Sequence, residues 1–164
     1  RRCNKKQSWY MKKFQPKLEQ MDFTNIRYAP VVNCVLIHEG KILFVKRSGD
    51  LNFYPNVWNG ISGFLDDEKS FGEKVKEEIA EEVGITEENI ISIRRGEIFH
   101  QDEPNYGKTW IVHPVLVEVK TSAVTLDWEA QRHRWLSVSE VKVLDLLPGF
   151  DEVLKKVEKM IAFA

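Results

Sequence analysis

The stretch that decides the fold is Gly63–Ile85, GFLDDEKSFGEKVKEEIAEEVGI. Within it Phe71, Val75, Ile79 and Val83 recur every four residues, the apolar stripe of a helix. Ser70 precedes that stripe as a candidate N-cap, and Glu73, three residues on, completes a capping box. Gly84 follows it, where a left-handed C-cap belongs. The spacing predicts a helix over Phe71–Val83, entered from a charged loop that begins at a glycine.

The other faces of this helix are acidic. Glu78, Glu81 and Glu82 stand at i, i+3 and i+4, so their carboxylates share one patch, with Glu77 beside them. The like-charged pairs Glu77/Glu81 and Glu78/Glu82 each cost an isolated helix about 0.2–0.5 kcal/mol. Lys74/Glu78 is compensated, but the second half of the helix is not. A solvated acidic face is the plain reading of such a run. A bound divalent cation is the other, and oxygen donors suit Mg2+ or Mn2+ rather than zinc. The context upstream favours the cation. Ile61-Ser62-Gly63 reads as a strand end followed by a glycine, which brings backbone carbonyls close to the returning helix. Carboxylates, a carbonyl and open water positions together handle phosphates.

These residues resemble the Nudix hydrolase signature, G-x5-E-x7-R-E-U-x-E-E-x-G-U, where U is a bulky aliphatic residue. The spacing from Gly63 to Ile85 is unbroken, and the glycines, the aliphatics Ile79 and Ile85, and Glu78, Glu81 and Glu82 all match. Two positions depart: the family's first glutamate is Lys69 here, and its arginine is Glu77. The two departures carry opposite charges, so the acid–base pair of the family is expected with its charges exchanged. The resemblance implies an α+β fold, an α/β/α sandwich with a mixed β-sheet packed between helices. It implies Mg2+ (or Mn2+) held by Glu78, Glu81, Glu82 and the backbone carbonyl of Ser62. It also makes Glu78, Glu81 and Glu82 catalytic, with Glu129, six residues before Trp135, as a further acid that approaches the metals or orients water.

The whole chain sets limits on its partners. It has 164 residues, 43% of them apolar, enough for one domain with a sizeable core. A net charge of −1 argues against general nucleic-acid or membrane-surface binding. No apolar run is long enough to span a membrane, and no signal-peptide pattern opens the chain. Cys3 and Cys34 give neither metal spacing nor a disulfide framework, so a cytoplasmic location is expected. Cys34, in an apolar strand pattern, reads as a small buried hydrophobe. Residues 1–25 read as a basic N-terminal extension and residues 26–164 as a single Nudix-like domain. The first 20 residues hold seven Lys and Arg against Glu19 alone. The extension is either loosely held or acts as a phosphate flap or the arm of a homodimer, and Met11 is a candidate natural start.

Around the box, Val31–His38 and Lys41–Lys46 read as a hairpin turning at Glu39-Gly40. Ile90–Phe99 and Trp110–Val119 read as strands, with His100–Gly107 as a polar loop between them. Ser137 opens a short helix, and Phe150, Val153, Leu154, Val157 and Met160 recur in a terminal amphipathic one. Arg47, Trp58 and His100 are candidate contacts to substrate: Arg47 to its phosphates, His100 in the polar loop, and Trp58 by stacking, although Trp58 reads first as a packed anchor for the strand that delivers Gly63. The function expected is Mg-dependent cleavage of a diphosphate linkage in a nucleotide-like small molecule, a nucleoside diphosphate joined to another group. The alternatives are a non-catalytic nucleotide-binding module and, less favoured, an isopentenyl diphosphate isomerase. The isomerase needs a cysteine acid, and none lies beyond Asn59.

Overall fold

In the computed structural model, which describes residues 18–161, the expected hairpin is β1 (Tyr28–His38) and β2 (Lys41–Arg47). Its turn puts Glu39 and Gly40 at φ 47° and 76°, the double left-handed conformation that suits the strand twist. The two strands pair only at Ile37↔Ile42 and His38↔Lys41, then part. Into the gap runs Trp58–Phe64. Its first half, β3 (Trp58–Asn59), pairs antiparallel with β2, and its second half, β4 (Ile61–Phe64), pairs antiparallel with β1. The crossing point is Gly60, where a Cβ would overlap the carbonyl oxygen of Cys34. A side chain there would force the strands apart.

On the other side of β1 lies β7 (Lys108–Val119), parallel to it in register from Tyr28↔Thr109 to Ile37↔Glu118. Two strands, β5 (Ile90–Arg95) and β6 (Phe99–Glu103), pair antiparallel with β7, and β8 (Ala130–Leu136) pairs antiparallel with β2. The result is a mixed sheet of eight strands. Side chains alternate across it, so each face carries its own core. Val32, Cys34, Leu36, Leu43, Val45, Val115 and Val117 meet α1 (Phe71–Val83) on one face. Val35, Phe44, Val112 and Leu116 meet α2 (Phe150–Ile161) on the other. This is the sandwich that the sequence predicts, and Cys34 is a free buried thiol within it.

One expectation is corrected. Residues 100–107 are not a loop. β6 continues to Glu103 in register with β7, and only Pro104–Tyr106 form a 3-10 turn, closed by Gly107. The polar run hides an alternation, since His100 and Asp102 are exposed while Gln101 is half-buried and Glu103 buried. Among the described residues no helix is long and apolar enough to cross a membrane.

Candidate active site

α1 begins and ends as its local chemistry dictates. The Glu73 backbone N–H donates to Ser70 Oγ at 3.3 Å, and the Ser70 N–H donates to Glu73 Oε2 at 2.8 Å. At the other end Gly84 adopts φ 68° and its N–H reaches the Ala80 carbonyl. Val75, Ile79 and Val83 are fully buried against the sheet. That packing fixes the helix rotation and turns Glu78 and Glu82 towards the strand ends, where Glu82 is only 7% exposed. Beneath Glu78 lies Gly63 of β4, and a Cβ on Gly63 would overlap the Glu78 carboxylate. A glycine at this point of the helix entry leaves the Glu78 carboxylate its place.

Glu129 arrives from a distant part of the chain. The Thr125 N–H donates to the Val83 carbonyl at 3.0 Å and the Asp127 N–H to the Glu82 carbonyl at 3.2 Å, so the segment before β8 is laced to the end of α1. The Glu129 N–H then donates to Asp127 Oδ1 at 2.9 Å, a tight turn that leaves the Glu129 side chain beside Glu82. Burial pushes Glu82 well above the ordinary glutamate range, and the charges of Glu129 and Glu78 push it further. Burial and Asp127 raise Glu129, against the pull of Arg47. Glu78 is pushed up to about 7 by burial, against the pull of Lys74.

Such a cluster of buried acids is short of positive charge. No hydrogen bond among the described residues reaches the carboxylates of Glu81, Glu82 or Glu129. The donors present, carboxylates and the nearby Ser62 peptide, are hard oxygens that fit Mg2+ or Mn2+. Among the described residues no three acids stand close enough to enclose an ion as they are. Glu78 leans on Lys74 at 3.2 Å.

The acids form one end of a cleft of about 890 Å3 that also includes Ser62, Arg47, Phe53, Tyr54, Gln101 and Trp110. Its far wall is aromatic. Phe53 meets Trp110 edge-on at 5.3 Å, and the Tyr54 hydroxyl accepts from Trp110 Nε1 at 2.9 Å while donating to Glu103 at 3.1 Å.

A family model, the NUDIX domain, matches residues 27–157. The chain belongs to the Nudix family. Its family is one of pyrophosphohydrolases. A search of curated proteins finds no match. Among solved structures, a Nudix hydrolase from Nitrosomonas europaea matches with a TM-score of 0.66 at 18% identity, over 81% of this chain and 90% of that one. The Nudix domain of Shewanella oneidensis NrtR, complexed with ADP ribose, matches with a TM-score of 0.69 at 15% identity, over 91% of this chain and 94% of that one. A bifunctional NMN adenylyltransferase/ADP ribose pyrophosphatase from Francisella tularensis, complexed with AMP and Mn ion, matches with a TM-score of 0.63 at 16% identity. That match covers 81% of this chain and 42% of the other. At these identities the likeness shows the fold.

Within this Nudix box the two departures face each other. Lys69 Nζ lies 2.6 Å from Glu77 Oε2, the exchanged pair that their opposite signs predict. The other candidate residues divide. Glu78, Glu81, Glu129, Arg47 and Ser62 line the cleft, with Glu82 buried at its acidic end. The Arg47 guanidinium is already engaged, because Nε donates to the Tyr54 carbonyl at 3.0 Å and Nη2 to the Phe53 carbonyl at 2.8 Å. It holds the loop that carries the aromatic wall.

Two of the candidate contacts lie off the lining of the cleft. Trp58 is packed in the core beneath the cleft, and its backbone pins Asp145 and Leu147. His100 is exposed on β6, and alternation turns it away from the face of Gln101 and Trp110 that lines the cleft. Sequence reasoning missed Gln101, Trp110 and Tyr54, whose places follow from strand pairing. It also missed Trp128, which lines the cleft mouth at 69% exposure. The signal for Trp128 was adjacency to Glu129.

Proposed function

We propose that this protein is a divalent-metal-dependent hydrolase cleaving a diphosphate linkage in a nucleoside diphosphate joined to another group. The observation that carries this reading is the convergence of Glu78, Glu81, Glu82 and Glu129, with Gly63 against Glu78, at one end of an aromatic-walled cleft. Glu82, the most buried, is the principal metal ligand, with Glu78, Glu81 and the Ser62 carbonyl as partners. Bound Mg2+ or Mn2+ would neutralise phosphate charge, polarise phosphorus and acidify a water. Glu129 sits on a braced turn where it can hold or orient that water. Arg47 fixes the Phe53–Tyr54 segment, so the apolar half of the substrate meets a preformed wall. ADP ribose and AMP in the neighbouring structures are in keeping with such a substrate.

A second reading is a nucleotide-binding module without turnover, favoured by the departures at Lys69 and Glu77. The isomerase reading lacks its acid, since Cys34 is buried on the α1 face of the sheet. The test is phosphate release from nucleotide sugars, dinucleoside polyphosphates and oxidised nucleoside triphosphates, with Mg2+ and added phosphatase. Turnover that Glu82→Gln abolishes supports the hydrolase. Binding of ADP ribose with no turnover across the set supports the module.

A further inference from the structure

Lys74 lies on the first turns of α1 and is only 5% exposed, beside the fully buried Val75. A lysine so enclosed needs acids around it. Its ammonium lies 3.1 Å from Asp66, 3.2 Å from Glu78, 3.4 Å from Asp67 and 4.0 Å from Glu77. The loop side is anchored. Asp66 is itself buried, accepts from Gln20 Nε2 at 2.7 Å, and its carbonyl accepts from the Met21 N–H at 2.6 Å. Asp67 and Glu77 are shared with Lys69, at 3.6 and 2.6 Å. Among the described residues Glu78 has no other ion-pair partner.

This arrangement relocates a charge. The signature places its cation at the position of Glu77, and here a lysine three residues earlier, on the same helix face, stands in the acid cluster instead. A cation fixed against Glu78 repels a second cation and competes for the same carboxylate.

We propose that Lys74 is a positioning residue that holds Glu78 and thereby weakens divalent-cation binding at the carboxylate cluster. The inference rests on the metal-dependent reading above. Removing the ammonium frees Glu78 and leaves the site more negative, so the cation binds more tightly.

The experiment is a Mn2+ titration of the metal-free full chain, read by the electron paramagnetic resonance signal of free Mn2+. The variants are Lys74→Met, Lys74→Arg and the double change Lys74→Met/Asp66→Asn, which spares the fold a stranded buried carboxylate. Lys74→Met is expected to lower the Kd for Mn2+ roughly tenfold; the double change, which frees Glu78 without making the site more negative, is expected to lower it roughly threefold, and Lys74→Arg to stay within about twofold of the parent. A lysine serving only to brace the fold would leave the Kd of the folded variants unmoved. Unchanged or weaker binding in the double variant, with the parent binding Mn2+, overturns this inference alone. A parent that binds no Mn2+ overturns the metal-dependent reading with it.

Discussion

At the scale of single residues, contact distance decides more than charge. Gly63 and Glu78 are fifteen residues apart in sequence yet touch so closely that any side chain at 63 displaces the carboxylate. Gly63→Ala is therefore expected to cut turnover by at least tenfold with little loss of stability, because the atoms it meets are the far end of the flexible Glu78 side chain, which can swing aside. Steady-state kinetics beside thermal melts check it, and full activity in the alanine variant would contradict the geometry. The exchanged pair Lys69/Glu77 makes a second case. Both side chains are partly exposed, so the pair contributes little to stability. Its expected signature is coupling: Lys69→Glu and Glu77→Arg each reduce activity, and the double exchange recovers most of it. Simple addition of the two single effects would show that the contact does not matter. Lys74 shows where reading by residue stops. Its i, i+4 relation to Glu78 is plain in the sequence, but its burial is not, because the acids that accompany it come from the loop at Asp66 and Asp67.

Elements whose instructions are local were legible in the sequence. α1 has its stripe, its capping box and its terminal glycine within the fifteen residues Ser70–Gly84, and the structure places it at Phe71–Val83 as the pattern predicts. The hairpin at Glu39-Gly40 is local in the same way. The continuation of β6 is not local. His100 to Glu103 carries strand pairing because β7 lies beside it, and nothing in that polar tetrapeptide announces a neighbour. The 3-10 helix Val138–Val143 offers a test of capping at this scale. The Ser137 N–H and hydroxyl both donate to Glu140 Oε2, at 2.8 and 2.9 Å, and hold the Glu140 carboxyl below its ordinary value of 4.5. A carboxyl lowered by folding contributes stability above its unfolded value and loses it as pH falls through the folded one. The melting temperature of the parent should therefore exceed that of Glu140→Gln above pH 5. The gap should close as pH drops below about 4. A gap independent of pH would rule out the charged cap.

Across the whole molecule the site is assembled from segments that no window of sequence contains. The box supplied the acids, and the resemblance carried the reading as far as Glu129. The aromatic wall stayed hidden because it depends on which face each strand presents. Trp58 is the instructive case, since it packs as an anchor in the core. It lies one residue from Asn59, which does line the cleft, and a two-residue strand gives no periodicity to tell the faces apart. Tyr54 ties this architecture together. Its hydroxyl bonds Trp110 of β7 and Glu103 of β6, while its backbone, at φ 50°, accepts from Arg47 of β2 and donates to the Tyr106 hydroxyl at 3.0 Å. A single phenol thus ties the Ser48–Val57 loop to β6 and β7. Tyr54→Phe keeps the ring and removes two hydrogen bonds, leaving the Trp110 indole N–H without its acceptor. The expected cost is about 1–3 kcal/mol, seen in chemical denaturation. In the function proposed above the loop bears on the apolar half of the substrate and not on the carboxylates, so KM should rise several-fold while kcat changes little. A fall in kcat at constant KM would mean that the loop acts on the chemistry itself, and the division of the cleft into a binding wall and a reacting end would have to be redrawn.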